Sequence, residues 1–406
     1  MVFNSSGKSV AMLSNVAFIF LFPGFILYHS LINLGLISDF IEGYFGKFTV
    51  GFLVFYVLYA INNYLCTDRY VSWFCAMFFL YLSYIFLWTF IHLFFDTGEY
   101  TKYAVIQTLE LIVLNVTLFY VGRHFEISSS AIKFSVSLSL ILIVLFLLYR
   151  INGNAYYAGL ALFSGGDASV SYQNYSRNCL VIILMFITTI PRNILGMTFW
   201  MVGGVVLFYV GARSEFYAYF VAALICYVLL EILRRSWFRL AVGVACVCVA
   251  LVMLFLGLES DLSNRQFEVL DLQSSSSWNA RLILQDAAIN QIDRSIIFGS
   301  FGGHIENSGS VGGYSHNALS AWVNYGLLGF VLYLGLSIYA FAISLRGVIQ
   351  TDGESSPWVL ALFLSLICLI LIIFSKSVFW ILPAFSWGVC ANCEASNFDK
   401  FYAVRE

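Results

Sequence analysis

The chain has 406 residues, of which 61% are hydrophobic and only 10% are charged, and its net charge is −2. Soluble domains average about 45–50% apolar and about 25% charged residues. This composition excludes an ordinary soluble enzyme, a disordered protein and a nucleic-acid-binding protein. A membrane-spanning helix needs about 20 apolar residues, so the hydrophobic content is enough for about twelve such helices.

Apolar runs recur along the whole chain and predict an all-α polytopic integral membrane protein, with one transmembrane domain over residues 1–406. The first run is too long for a cleaved signal peptide, and no small-residue cleavage site follows it, so we expect it to remain as the first span. The twelve predicted spans are 10–32, 48–65, 71–95, 103–122, 132–149, 177–191, 194–211, 216–233, 238–258, 318–345, 357–374 and 376–392.

The positions of Lys and Arg set the expected orientation. Arg234, Arg235 and Arg239 cluster between two predicted spans, and short loops rich in Lys and Arg stay in the cytoplasm. Both termini are therefore expected in the cytoplasm. The large loop at 259–317 then lies on the outer face of the membrane, between the ninth and tenth spans.

Several arginines remain on this outer face, although topology rules disfavour them there. Arg150, Arg177 and Arg213 lie at or near the ends of predicted spans, and Arg281 lies in the large loop. Snorkelling from a helix end would explain any one of the first three. For the whole set, an anion-binding site is the sharper explanation.

A short outer segment, GARSEF at 211–216, places Arg213 and Glu215 between two predicted spans. An ordinary loop with an Arg–Glu pair is one interpretation. The functional interpretation is a phosphate-holding arginine that Glu215 orients, or a carboxylate that itself serves as an acid or a base.

Residues 278–292 of the large loop place polar side chains such as Asn279 and Asp286 on one helical face and apolar side chains on another. This pattern predicts an amphipathic helix near the membrane surface. Arg281 falls in its first turn, where free N–H groups and a guanidinium together favour a phosphate. A local ion pair with Asp286 is the alternative explanation for Arg281.

The large loop ends in a glycine-rich segment, with six glycines between residues 299 and 313, which permits tight turns and close approach to a ligand. His316 closes the segment just before a span, beside Asn317 and Tyr314. Its ordinary pKa lies near working pH, which suits a general base. His304 is expected to be a solvated loop residue.

The segment GGYSHNALSAWVNYGLLGFVLYL at 312–334, after a long outer loop with a conspicuous arginine, resembles the O-antigen ligase and polymerase superfamily. GARSEF at 211–216 resembles the short outer Arg element of that family. The resemblance implies metal-independent glycosyl transfer at the periplasmic face from an undecaprenyl-pyrophosphate-linked oligosaccharide. Carried over, Arg213 and Arg281 would hold the pyrophosphate, and His316 would act at the acceptor hydroxyl or the pyrophosphate.

The resemblance leaves three functions open. An O-antigen polymerase, which joins repeat units, is the leading hypothesis, with a chain-length regulator protein as a candidate partner. A ligase that transfers the finished chain to lipid A-core is the second. A flippase or transporter is the third, although the internal repeats expected of that class are not evident.

Two further observations bear on these hypotheses. Some polymerases of the superfamily carry an Arg and a Gly at a fixed, shorter spacing in two outer loops, whereas Arg281 and Gly299 enclose seventeen residues. In the segments expected on the outer face, an acidic metal motif of the Asp-x-Asp type has only Glu259 and Asp261 as candidates, and a rim pair explains them equally well. We therefore predict no cofactor and no metal, with candidate substrate contacts at Arg150, Arg177, Asn279, Tyr314 and Asn317.

Overall fold

A computed structural model describes residues 4–64, 72–96, 98–152, 172–190, 194–243, 245 and 276–403. These residues form helices and turns and contain no strand. The helices are α1 (Asn4–Ile19), a π-helical turn (Phe20–Gly24), α2 (Phe25–Asn33), α3 (Tyr44–Tyr64), α4 (Trp73–Phe95), α5 (Glu99–His124), α6 (Ser130–Asn152), α7 (Tyr172–Thr189), α8 (Ile194–Val210), α9 (Arg213–Leu233), α10 (Ser276–Arg294), α11 (Gly303–Ser308), α12 (Leu319–Gln350), α13 (Ser356–Phe374) and α14 (Leu382–Ala403).

The described helices have the length and composition of a polytopic membrane protein. Seven helical segments are long and apolar enough to cross a membrane, and two shorter apolar helices, Tyr44–Tyr59 and Thr198–Val210, accompany them. The seven are Lys8–Asn33, Trp73–Phe95, Glu99–His124, Ser130–Tyr149, Arg213–Leu233, Leu319–Gln350 and Ser356–Phe374. The predicted span at 238–258 lies mostly outside the described residues, which end there in a helical segment at 237–243.

The last predicted span, 376–392, is wrong at its start. Residues 375–381 form a turn, and α14 begins only at Leu382. Pro383 suits the first turn of a helix because its missing N–H needs no partner there. The backbone N–H groups of Ser375 and Lys376 both donate to the carbonyl of Leu371, which closes α13. The turn therefore sets Lys376 between two apolar helices.

The tenth predicted span forms α12, and it is kinked at Gly326, whose φ is +68° and ψ is −175°. The kink frees backbone groups that other elements satisfy. Tyr84 and Trp88 of α4 donate to the carbonyls of Tyr325 and Asn324 at 2.7 and 3.1 Å. A kink in an apolar helix is tolerated when neighbouring helices pair its freed groups in this way.

The segment after α10 docks directly onto this kink. The N–H of Leu327 donates to the carbonyl of Ile297 at 3.1 Å, and the N–H of Ser300 donates to the carbonyl of Val323 at 2.6 Å. Gly299 has a φ of +70°, and a Cβ there would collide with backbone atoms of α12. The polar helices α10 and α11 are thereby fixed over the N-terminal end of α12.

Candidate functional site

The candidate site begins with a buried ion pair at the N-terminal end of α9. Glu215 is fully buried in the first turn of α9, and its Oε1 lies 2.6 Å from Nζ of Lys376 in the turn before α14. The hydroxyl of Ser214 donates to the other carboxylate oxygen at 2.7 Å. The ammonium lies off the direction of a formal hydrogen bond to Oε1, so the contact is an ion pair held mainly by charge.

His316 lies beside this pair, in the loop that leads into α12. Burial, and to a smaller extent the nearby charges of Arg281 and Lys376, lower the pKa of His316 from 6.5 to about 4. Because a second cation within several ångströms disfavours the imidazolium, the ring is neutral at physiological pH. The structure thus brings together Arg281, His316, Lys376 and Glu215 from four separate parts of the chain.

The helix that carries Arg281 is longer than predicted and runs from Ser276 to Arg294. Its buried face is formed by Ala288 and Ile292, which pack against Val323 near the start of α12. This packing holds Arg281 over the loop that contains His316. By contrast, Asn279 is exposed in the first turn of the same helix.

Arg177 lies deeper, on α7, and is 7% exposed. Its guanidinium carbon is 4.6 Å from the centre of the Phe45 ring, a cation–π contact. It also interacts electrostatically with Glu215, and its Nε makes no hydrogen bond within the described residues. Glu215 therefore faces two buried cations, Lys376 and Arg177.

The remaining predicted arginines differ in what surrounds them. Arg213 is the first residue of α9 and interacts electrostatically with Tyr217, one turn further along. The partner of Glu215 in the described residues is Lys376 rather than Arg213. The side chain of Arg150 and the Glu259–Asp261 pair lie outside the described residues.

Asn317 organises the loop around His316. Its side-chain oxygen accepts from the N–H of Leu319 at 3.0 Å and from the Ser315 hydroxyl at 2.7 Å, which fixes the turn that leads into α12. Its amide nitrogen donates to the Gln285 side chain on α10 at 3.3 Å. These bonds place Asn317 as a positioning residue that ties the His316 loop to the helix of Arg281.

Tyr314 and His304 form an aromatic group next to His316. The Tyr314 ring centre lies 5.4 Å from that of His316 and 5.9 Å from that of His304. His304 is only 4% exposed, so the expectation of a solvated loop residue is wrong. Its Nε2 lies 3.1 Å from Oε1 of Gln107 on α5, which explains why the ring is held inside.

Lys376 was missed as a site residue by sequence reasoning. It lies between two apolar runs and is the first residue of the last predicted span, although lysine is disfavoured in short loops on the face expected to be outer. The same rule singled out the arginines expected on that face and would have found Lys376. No protein-family model and no curated protein matches this chain, so the chemistry of the site rests on its own residues.

Proposed function

We propose that this protein is an O-antigen polymerase, a glycosyltransferase that joins undecaprenyl-pyrophosphate-linked repeat units. The observation that carries the proposal is the grouping of Arg281 and Lys376 around a neutral His316 at one end of an apolar helical bundle. The proposed setting is a twelve-span protein of the bacterial inner membrane with cytoplasmic termini. The loop of α10 and α11 would face the periplasm.

The cations suit a pyrophosphate leaving group. As the bond between the anomeric carbon and the pyrophosphate oxygen breaks, negative charge grows on the pyrophosphate. Fixed positive charges stabilise such a transition state without having to reorganise. Arg281 and Lys376 would contact the pyrophosphate, and Arg213 and Arg177 would add to the positive field.

His316 suits the acceptor side of the reaction. A neutral imidazole can take the proton from the acceptor hydroxyl as that oxygen attacks the anomeric carbon. Burial first, and then the charges of Arg281 and Lys376, hold the pKa of His316 near 4, which makes the imidazole a weak base in the free site. A bound pyrophosphate would neutralise the two cations and raise this pKa, so His316 would be a stronger base when the donor is present.

Gel analysis of lipopolysaccharide from the native host tests the proposal. Deleting the gene should leave core carrying a single repeat unit, whereas loss of a ligase would leave bare core and chains on the lipid carrier. An unchanged ladder would overturn both functions. Restoring the gene with Arg281→Ala, Lys376→Ala or His316→Ala should not restore long chains. Arg294→Ala, on the exposed C-terminal turn of the same helix, is the matched control and should restore them.

A further inference from the structure

A cavity of about 220 Å³ lies next to His316, between α10, α11 and the start of α12. Tyr314 and Ser315 line it on the side of His316, and His304, Gln291 and Asn307 line other walls. It does not include Arg281, Lys376 or Glu215 among its lining residues. The cavity is therefore separate from the cation group and reaches the candidate base through Tyr314.

The side chains that line the cavity are complementary to an uncharged, polyhydroxylated ring. Among the described lining residues, polar groups are amides, hydroxyls and an imidazole, and none is an acid, a lysine or an arginine. Apolar side chains such as Ile283 and Val323 supply the remaining surface. A pyranose presents C–H faces to apolar and aromatic side chains, and hydroxyls to a few placed polar groups, as ligand pockets generally require.

One buried polar atom supports a ligand at this place. His304 is 4% exposed, and its Nδ1 makes no hydrogen bond of good geometry within the described residues, although the Asn324 side chain and the Val311 backbone interact with the ring. A buried polar atom without a partner is costly. A sugar hydroxyl in the cavity would supply that partner, while the Nε2–Gln107 contact keeps the ring in place.

We propose that this cavity binds a neutral pyranose ring and, given the polymerase function proposed above, that it holds the acceptor's terminal sugar with its hydroxyl directed past Tyr314 to His316. The size of the cavity limits it to about one ring. The pyrophosphate and the sugar would thus occupy different subsites. Each subsite can therefore be disabled separately.

The test is saturation-transfer NMR on the purified full chain in amphipol, which avoids sugar-headed detergents. The probes are free galactose, glucose, N-acetylglucosamine, rhamnose and glucuronic acid. Ala287→Phe fills the cavity from α10, and Ala280→Phe is the matched control, two turns earlier on the same helix and exposed. Asn307→Ala, at an exposed position on the wall, is a second variant with little risk to folding.

We expect saturation transfer to at least one neutral sugar, its loss in Ala287→Phe, its weakening in Asn307→Ala and its retention in Ala280→Phe. Absence of transfer to every neutral sugar, unchanged transfer in Ala287→Phe, or preference for glucuronic acid would overturn the proposal. Arg281→Ala should keep sugar binding. Sugar binding in a protein whose deletion leaves the lipopolysaccharide ladder unchanged would retain the cavity assignment and overturn only the polymerase function.

Discussion

Nζ of Lys376 lies 2.6 Å from Oε1 of Glu215, and 8% and 0% of the two side chains are exposed. Burying two opposite charges gives little net stability, but removing one partner leaves the other uncompensated, at a cost of about 3–5 kcal/mol. We expect Glu215→Gln to lower the free energy of unfolding by about this amount. The measurement is denaturation of the purified protein in mild detergent.

The exposed ion pair between Arg234 and Glu354 supplies the control. Its N–O distance is 2.8 Å, but the Glu354 side chain is 71% exposed, so Glu354→Gln should cost at most about 1 kcal/mol. Adding Lys376→Met to Glu215→Gln should recover part of the loss, because only Arg177 then remains uncompensated. A double variant no more stable than Glu215→Gln would contradict the ion-pair explanation.

The pKa of His316 should respond to the charge of Arg281. Burial, Arg281 and Lys376 together hold this pKa near 4, so Arg281→Gln removes one repulsive charge and should raise it. Added inorganic pyrophosphate should raise it in the unaltered protein for the same electrostatic reason. Carbon-13-labelled histidine NMR can follow the titration because the chain has only five histidines.

The spectrum of His316→Gln assigns the signal in that titration. Arg294→Gln, on the last turn of α10, serves as the charge-matched control and should leave the pKa of His316 unchanged. A pKa in Arg281→Gln at or below that of the unaltered protein would show that Arg281 does not act on the ring.

The buried His304 should make the protein acid-sensitive. Burial lowers its pKa from 6.5 to about 4, so between these values the unfolded chain binds a proton that the folded chain does not. The contribution of His304 to the free energy of unfolding is fully present above pH 6.5. It is lost as the pH is lowered to about 4, by up to about 3 kcal/mol. Unfolding measured across this range should give a shallower pH dependence for His304→Gln. Parallel curves for the two proteins would refute this origin.

The sequence predicted helices and single charged residues of the site, but not which distant residues contact one another. Apolar runs locate helices because a chain in lipid must pair its own backbone groups. Arginines at positions expected on the outer face pointed to Arg281 and Arg177. The same signals report one position at a time, so they could not pair Glu215 with Lys376, which are far apart in the chain. Burial of His304 was missed because it depends on Gln107 of another helix.

The glycine positions were a second limit on prediction. The sequence indicated tight turns or close approach to a ligand in the glycine-rich segment. In the structure Gly299 instead approaches the backbone of α12, at the kink formed by Gly326. Residue type alone does not distinguish a ligand from a neighbouring helix, since both require the absence of a Cβ.

The contact between Gly299 and the kink at Gly326 fixes the helix of Arg281 to the helix that follows His316. Gly326→Ala would place a Cβ against the backbone of Ile297 and Phe298, at a φ of +68° that L side chains rarely adopt. The strain from that φ alone costs about 1–3 kcal/mol. We expect Gly326→Ala to weaken the docking of α10 and, on the proposed polymerase function, to abolish long chains on the lipopolysaccharide gel.

Gly335→Ala separates this contact from a general effect of glycine in α12. Gly335 lies on the same helix at ordinary φ, and no neighbouring atom lies within 4 Å of the position that an alanine Cβ would occupy. Its replacement should therefore preserve both the unfolding temperature of the protein and the long chains on the lipopolysaccharide gel. Protease cleavage after Arg294, measured in membranes, reports the docking of α10 directly and should rise only in Gly326→Ala. Equal cleavage in the two variants would mean that the kink does not hold α10 in place.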